Sequence, residues 1–103
     1  MLRHVVGVNL NYSKDDPRVK GFFQAAKNML ATIPQVKSYT HYFTDNPECG
    51  YQYGFVLDFE SKEALLEYFE NPNHLKFSDD EWTKGVASYL DFNFIPFDER
   101  KTP

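Results

Sequence analysis

Residues 2–11 alternate along the chain, with Leu2, His4, Val6, Val8 and Leu10 on one side and Arg3, Val5, Gly7 and Asn9 on the other. A period of two predicts a strand. Asp16-Pro17 then has the form of a helix N-cap followed by proline at the first helical position, where the missing N–H costs nothing. Val19, Phe22, Phe23, Ala26, Met29, Leu30 and Ile33 make one continuous helical stripe, which Pro34 is expected to end. Val36 to Phe43 is rich in Tyr, Thr and Val and predicts a second strand. The polar loop Thr44 to Gly50 returns it as a hairpin into a third strand, where Tyr51, Tyr53, Phe55, Leu57 and Phe59 share a face.

Ser61 can cap a second helix with Leu65, Leu66 and Phe69 inward, interrupted at Asn71-Pro72. Ser78 and Glu81 have the spacing of a capping box, with Phe77 and Trp82 as its hydrophobic staple, and predict a third short helix. Tyr89 to Phe97 closes the chain as a strand with Leu90, Phe92 and Phe94 on one side and Tyr89, Asp91, Asn93 and Ile95 on the other. The order β-α-β-β-α-β is that of an α+β, ferredoxin-like fold, an antiparallel four-stranded sheet with helices on one face. Its open face would expose aromatic and aliphatic side chains at a cost of roughly 25 cal/mol per Å². Two such sheets are therefore expected to pack together as a homodimer.

The 103 residues carry 18 aromatics, more than a minimal core needs, so a ligand cavity or a subunit interface is expected to use the surplus. No linker or repeat divides residues 1–103, and they are taken as a single domain. The net charge is −4 with the acids concentrated in the second half, and no Lys/Arg cluster offers a face to nucleic acid or to an anionic membrane. Cys49 is the one cysteine, which excludes an internal disulfide. With no apolar leader or membrane-length segment, a cytoplasmic location is the expectation.

Several segments carry a resemblance. Met1 to Val6, Ile33 to Ser38, Phe55 to Ser61 and Leu66 to Phe77 are similar, in this order, to segments of the stress-responsive A/B barrel (Dabb) family of dimeric α+β barrel proteins. The resemblance spans nearly the whole chain. It implies a homodimer with a cavity between helices and sheet in each subunit. It further implies polyketide cyclase-like chemistry, in which a His and a Tyr act as an acid/base pair on a carbonyl substrate without metal or organic cofactor. His74 and Tyr68 match that pair, and His4 matches a further pocket histidine on the first strand. A third-strand histidine of the cyclases falls at Tyr53, and the family's His-Pro-x-His is Asn71-Pro72-Asn73-His74 here.

The residues have their own physics. With Asn71 as cap and Pro72 first in the helix, His74 lies in the first turn, where the positive end of the helix dipole disfavours imidazolium. A neutral imidazole can act as a general base. The alternative is a structural histidine beside the kink. Tyr68 stands six residues earlier, which in an unbroken helix at about 100° per residue leaves the two roughly 120° apart. Only the break at Asn71-Pro72 can turn them toward common space; otherwise Tyr68 is packing at the helix edge. His4 lies on an apolar strand face and is either a satisfied core group or pocket lining.

The histidines His4, His41 and His74 sit on separate elements without ligand spacing, so no metal is expected. No nucleophile elbow and no phosphate-binding glycine loop occurs, and Asp79-Asp80-Glu81 is read as complementing a helix N-terminus. The expectation is a homodimer that binds an apolar or aromatic small molecule among His74, Tyr68, His4 and Tyr53. Proton transfer on a carbonyl compound, without cofactor, would use His74 as base and Tyr68 as its partner. The alternatives are a non-catalytic binding or structural dimer and a cofactor-free monooxygenase.

Overall fold

The strands pair in the order β2-β3-β1-β4, antiparallel throughout, in the computed structural model, which describes residues 1–99. They are β1 (Leu2–Leu10), β2 (Ser38–Phe43), β3 (Tyr53–Phe59) and β4 (Val86–Phe94). Between them run α1 (Pro17–Leu30), α2 (Lys62–Glu70), α3 (Pro72–Phe77) and the short α4 (Thr83–Gly85), with 3-10 turns at Pro47–Cys49 and Phe97–Glu99. The fold is ferredoxin-like α+β. Among the described residues no helix is long and apolar enough to cross a membrane.

The register assigns the two faces. Leu2, His4, Val6 and Val8 stand opposite Phe59, Leu57, Phe55 and Tyr53, and all eight are buried under the helices. Phe22, Phe23, Ala26 and Leu30 of α1 with Leu65 of α2 complete this core. Phe22 is its centre, with ring centroids 5.5 Å from Phe23, 5.6 Å from Phe77 and 6.1 Å from Trp82. The opposite face carries Val5, Val56, Tyr42, Leu90, Phe92 and Phe94 with no layer over it. At one end of that face Arg3 forms a bidentate pair with Asp58, at 2.8 and 3.1 Å, and Ser38 donates to the same carboxylate. Gly7 leaves room on this face for the Tyr51 ring, which a Cβ there would crowd at 3.1 Å. Gly50 has φ +88° and turns the hairpin where a side chain would be strained.

Local signals are met at the first helix and altered later. Asp16 caps α1 by accepting from the Arg18 amide, and Pro17 opens the helix. The helix ends at Leu30 rather than at Pro34, since Thr32 donates its hydroxyl to the Met29 carbonyl and the chain turns there; Ile33 is still buried. β2 begins at Ser38 rather than Val36, because the Val36 amide is held in a turn by the Ile33 carbonyl. Leu66 is exposed (49%), and Tyr68 takes the inward position expected of it.

The third helix is not started by Ser78. Its backbone is helical and its amide bonds to His74 and Leu75, so the run from Pro72 continues through a π turn at Ser78–Trp82. The capping box is therefore absent, Asp79 to Glu81 complement no new N-terminus, and Phe77 and Trp82 both pack on Phe22 instead of forming a staple. β4 starts three residues earlier than the alternation suggests and ends at Phe94, ahead of Pro96, which lacks a ladder donor. Because Phe22 joins helix, sheet and the late helical run, Phe22→Ala should lower stability by about 3–5 kcal/mol in chemical denaturation. A loss under 1 kcal/mol would contradict this packing.

Candidate functional site

The break between α2 and α3 builds the site. In a continuous helix the Phe69 carbonyl would accept from the amide of Asn73. Asn71 leaves the helix with ψ 131°, and its side-chain oxygen captures the Asn73 amide at 2.9 Å. Pro72 has no N–H to give. The Phe69 carbonyl is thus one of the orphan acceptors of a helix end, and His74 satisfies it: Nδ1–H donates to that oxygen at 3.1 Å. This bond draws the imidazole back over the end of α2, where its centroid lies 4.5 Å from the Tyr68 ring and 5.7 Å from the Phe69 ring. Asn73 fixes the start of α3 against the turn that follows α1 by donating to the Thr32 hydroxyl at 2.9 Å.

His74 and Tyr68 line one hollow of about 200 Å³ between helices and sheet. Val6, Leu57, Phe69, Phe77 and Trp82 supply apolar wall, and His4, Asp91 and Tyr89 supply the sheet side. A cavity of about 150 Å³ can hold a benzene, so this one matches a single substituted ring. His4 is 5% exposed and donates Nδ1–H to Asn93 Oδ1 at 2.7 Å, with its ring set edge-on to Phe69 at 5.6 Å. Tyr53 stands apart. It is buried against Phe23 and lines a separate groove with Val19, His41 and Phe43.

The remaining ring nitrogens and the Tyr68 hydroxyl make no hydrogen bond within the described chain. Among the described residues the one orphaned buried side-chain polar atom is Gln35 Oε1. His4, His74 and Tyr68 all line the cavity. Desolvation lowers the His74 pKa below the ordinary imidazole value; the bond to Phe69 opposes this and the nearby His4 adds to it. Burial, and secondarily Tyr39, pushes the Tyr68 phenol well above its usual range, so it remains a donor. The cavity thus joins a neutral base to a protonated phenol.

Asp91, Tyr89 and Asn93 are additions to the sequence-based set. A signal for them was present in β4, whose polar and aromatic-hydroxyl residues alternate with Leu90, Phe92 and Phe94. The ladder pairs Tyr89, Asp91 and Asn93 with Val8, Val6 and His4, which places the polar side of this strand toward the helices. Among the described residues no three His, Cys, Asp or Glu side chains converge as a metal cage.

The sequence matches the family model described as Stress responsive A/B Barrel Domain over residues 2–95. Among solved structures, a Dabb family protein with a ferredoxin-like fold from Mesorhizobium loti is similar at 27% identity and TM-score 0.89, over 93% of this chain and 96% of that one. A hydroxynitrile lyase from Passiflora edulis is similar in fold at 16% identity and TM-score 0.80, over 97% and 96% of the two chains. A dimeric ferredoxin-like protein of unknown function from Thermobifida fusca is similar in fold at 20% identity and TM-score 0.74, over 90% and 88%. No curated protein matches the sequence. With the family model covering all four strands and the helices that frame the cavity, the chain belongs to the stress-responsive A/B barrel (Dabb) family.

Proposed function

We propose that the protein is a homodimer that binds a small aromatic or apolar carbonyl compound and moves a proton on it by general acid/base catalysis, without metal or organic cofactor. The observation that carries the reading is the His74 Nδ1–H bond to the Phe69 carbonyl. It leaves Nε2 as a lone-pair acceptor in a desolvated hollow, with a phenol one ring contact away. His74 Nε2 takes a proton from the carbon beside the substrate carbonyl. The Tyr68 hydroxyl donates to the oxygen on which enolate charge develops, and its raised pKa keeps it protonated there. Returning the proton to a different carbon, or attack of the enolate on a second carbonyl, completes an isomerisation or cyclisation. His4 lines the same hollow and is part of the binding surface, whereas Tyr53 is left out of it.

The dimer rests on the bare sheet face. Leu90, Phe92, Phe94 and Tyr42 are each roughly half exposed there, beside Val5 and Val56. A second copy of the same face, turned by a two-fold axis, would cover this surface. The Thermobifida fusca relative is described as dimeric. Sedimentation should give twice the chain mass for the native protein and a monomer for Phe92→Glu. A native monomer at micromolar concentration would contradict the dimer.

Deuterium uptake at the methyl group of acetophenone, followed by proton NMR in D₂O, tests the chemistry. The protein should accelerate uptake over buffer, and His74→Gln should remove roughly 10²–10⁴-fold of that rate, the usual contribution of a general base. Tyr68→Phe should also slow it, with the fold retained. Uptake at the buffer rate would leave a non-catalytic dimer, and full activity in His74→Gln would exclude His74 as the base.

The same base predicts a pH dependence. Its cavity neighbours are His4 from β1, Tyr68 from α2 and Asp91 from β4. Because its folded pKa is lowered, the unfolded chain takes up this proton first as pH falls. The contribution to stability is unchanged above about pH 6.5 and declines below it, levelling beneath the folded pKa. An NMR titration of the His74 ring should have its midpoint below about 6.5, and the acetophenone rate should fall with the same midpoint. A midpoint above that value would contradict a desolvated base.

A further inference from the structure

We propose that the groove between α1 and the edge strand β2 is a second binding site, which takes a flat aromatic anion, its ring on Phe23, His41 and Phe43 and its charged group at Lys20 and Lys27. The groove holds about 450 Å³ and shares no lining residue with the cavity. Phe23 lines the groove and Phe55 the cavity, and their rings pack 5.3 Å apart as the partition between them. His41 and Phe43 stand opposite Phe55 and Tyr53 in the ladder, so the floor belongs to the helix side of the sheet and is not part of the bare face.

That floor is aromatic. His41 lies flat against Phe23, with centroids 4.8 Å and planes 13° apart, and Tyr53 meets Phe23 edge-on at 5.2 Å. Phe43 packs on Tyr53 at 5.9 Å and is still 83% exposed, so a ring laid there removes apolar area from water. The fixed charges on the lining are all positive. Lys20 and Lys27 are two turns apart on α1, about 10 Å along its axis, and neither forms an ion pair among the described residues. No carboxylate lines the groove. Asp15 lies close enough to add to the rise that burial gives the Tyr53 phenol, which therefore remains a donor. The Tyr39 phenol, kept protonated by burial, donates to His41 Nδ1 at 3.0 Å. A neutral His41 thus carries its own proton on Nε2 and adds a further donor. Unpaired cations beside aromatic faces select a ligand that brings both a ring and negative charge.

The test is an NMR titration of the native protein with 2-naphthyl phosphate, with 2-naphthol, uncharged at about pH 7, as the neutral control. 2-Naphthyl phosphate should give saturable shifts at the His41, Phe43 and Tyr53 rings, and 2-naphthol should leave those rings unmoved. A parallel titration with 2-naphthoate distinguishes a carboxylate from a phosphate ester as the anionic group, the tighter of the two naming it. Lys20→Gln combined with Lys27→Gln should weaken binding of 2-naphthyl phosphate about tenfold, the worth of two solvent-exposed ion pairs. Phe43→Ala, at an exposed position, should weaken it as well. Equal shifts from 2-naphthol, unchanged affinity in the double lysine variant, or shifts confined to the cavity residues His74 and Trp82 would overturn the inference. None of these readouts depends on proton transfer in the cavity, so the two sites stand or fall separately.

Discussion

One carbonyl group organises the site. A helix that ends must find partners for its last oxygens, and at Asn71-Pro72 the ordinary donors are withdrawn: proline has none, and the Asn73 amide is taken by the Asn71 side chain. His74 supplies the missing donor to Phe69 and is thereby folded back over α2 instead of continuing around the helix axis away from Tyr68. The same bond selects the tautomer and holds the ring in a desolvated position. Capping, orientation and basicity follow from a single local requirement of the backbone.

The sheet serves two surfaces whose polarity is exchanged along one strand. On β1 and β3 the helix-facing side is apolar and forms the core. On β4 the helix-facing side is Tyr89, Asp91 and Asn93, while Leu90, Phe92 and Phe94 face outward. The inversion puts hydrogen-bonding groups at the edge of the core, where the hollow lies, and moves apolar area to the bare face. In water that face is unfavourable in proportion to its area, which is the physical basis for a partner sheet. Cavity polarity and the apolar area of the bare face are thus linked through the alternation of a single strand.

The order of elements, the Asp16-Pro17 start, the α1 stripe and the bend at Asn71-Pro72 were legible because each depends on residues close in sequence. Ser78 and Glu81 were misleading for the same reason. Their spacing is that of a cap, but packing of Phe77 and Trp82 on Phe22 keeps the chain helical, and a π turn absorbs the mismatch. Leu66, expected inward, is exposed, because the helical pattern left two adjacent apolar stripes to choose between and the one that carries Tyr68 faces the core. Tyr53 has the right type and face, yet it lies at the very start of β3 and opens into another groove. The meeting of His4 with Asn93, 89 positions apart, depends on strand register, which periodicity alone does not supply.

The central claim is that a proline-marked helix break holds the His74 imidazole against the Tyr68 phenol. Nuclear Overhauser contacts between the ring protons of these two residues in the native protein test it most directly. With centroids 4.5 Å apart, strong contacts between His74 and Tyr68 ring protons are predicted. A His74 ring without contacts to Tyr68, and with the shifts of a freely rotating surface histidine, would contradict the account.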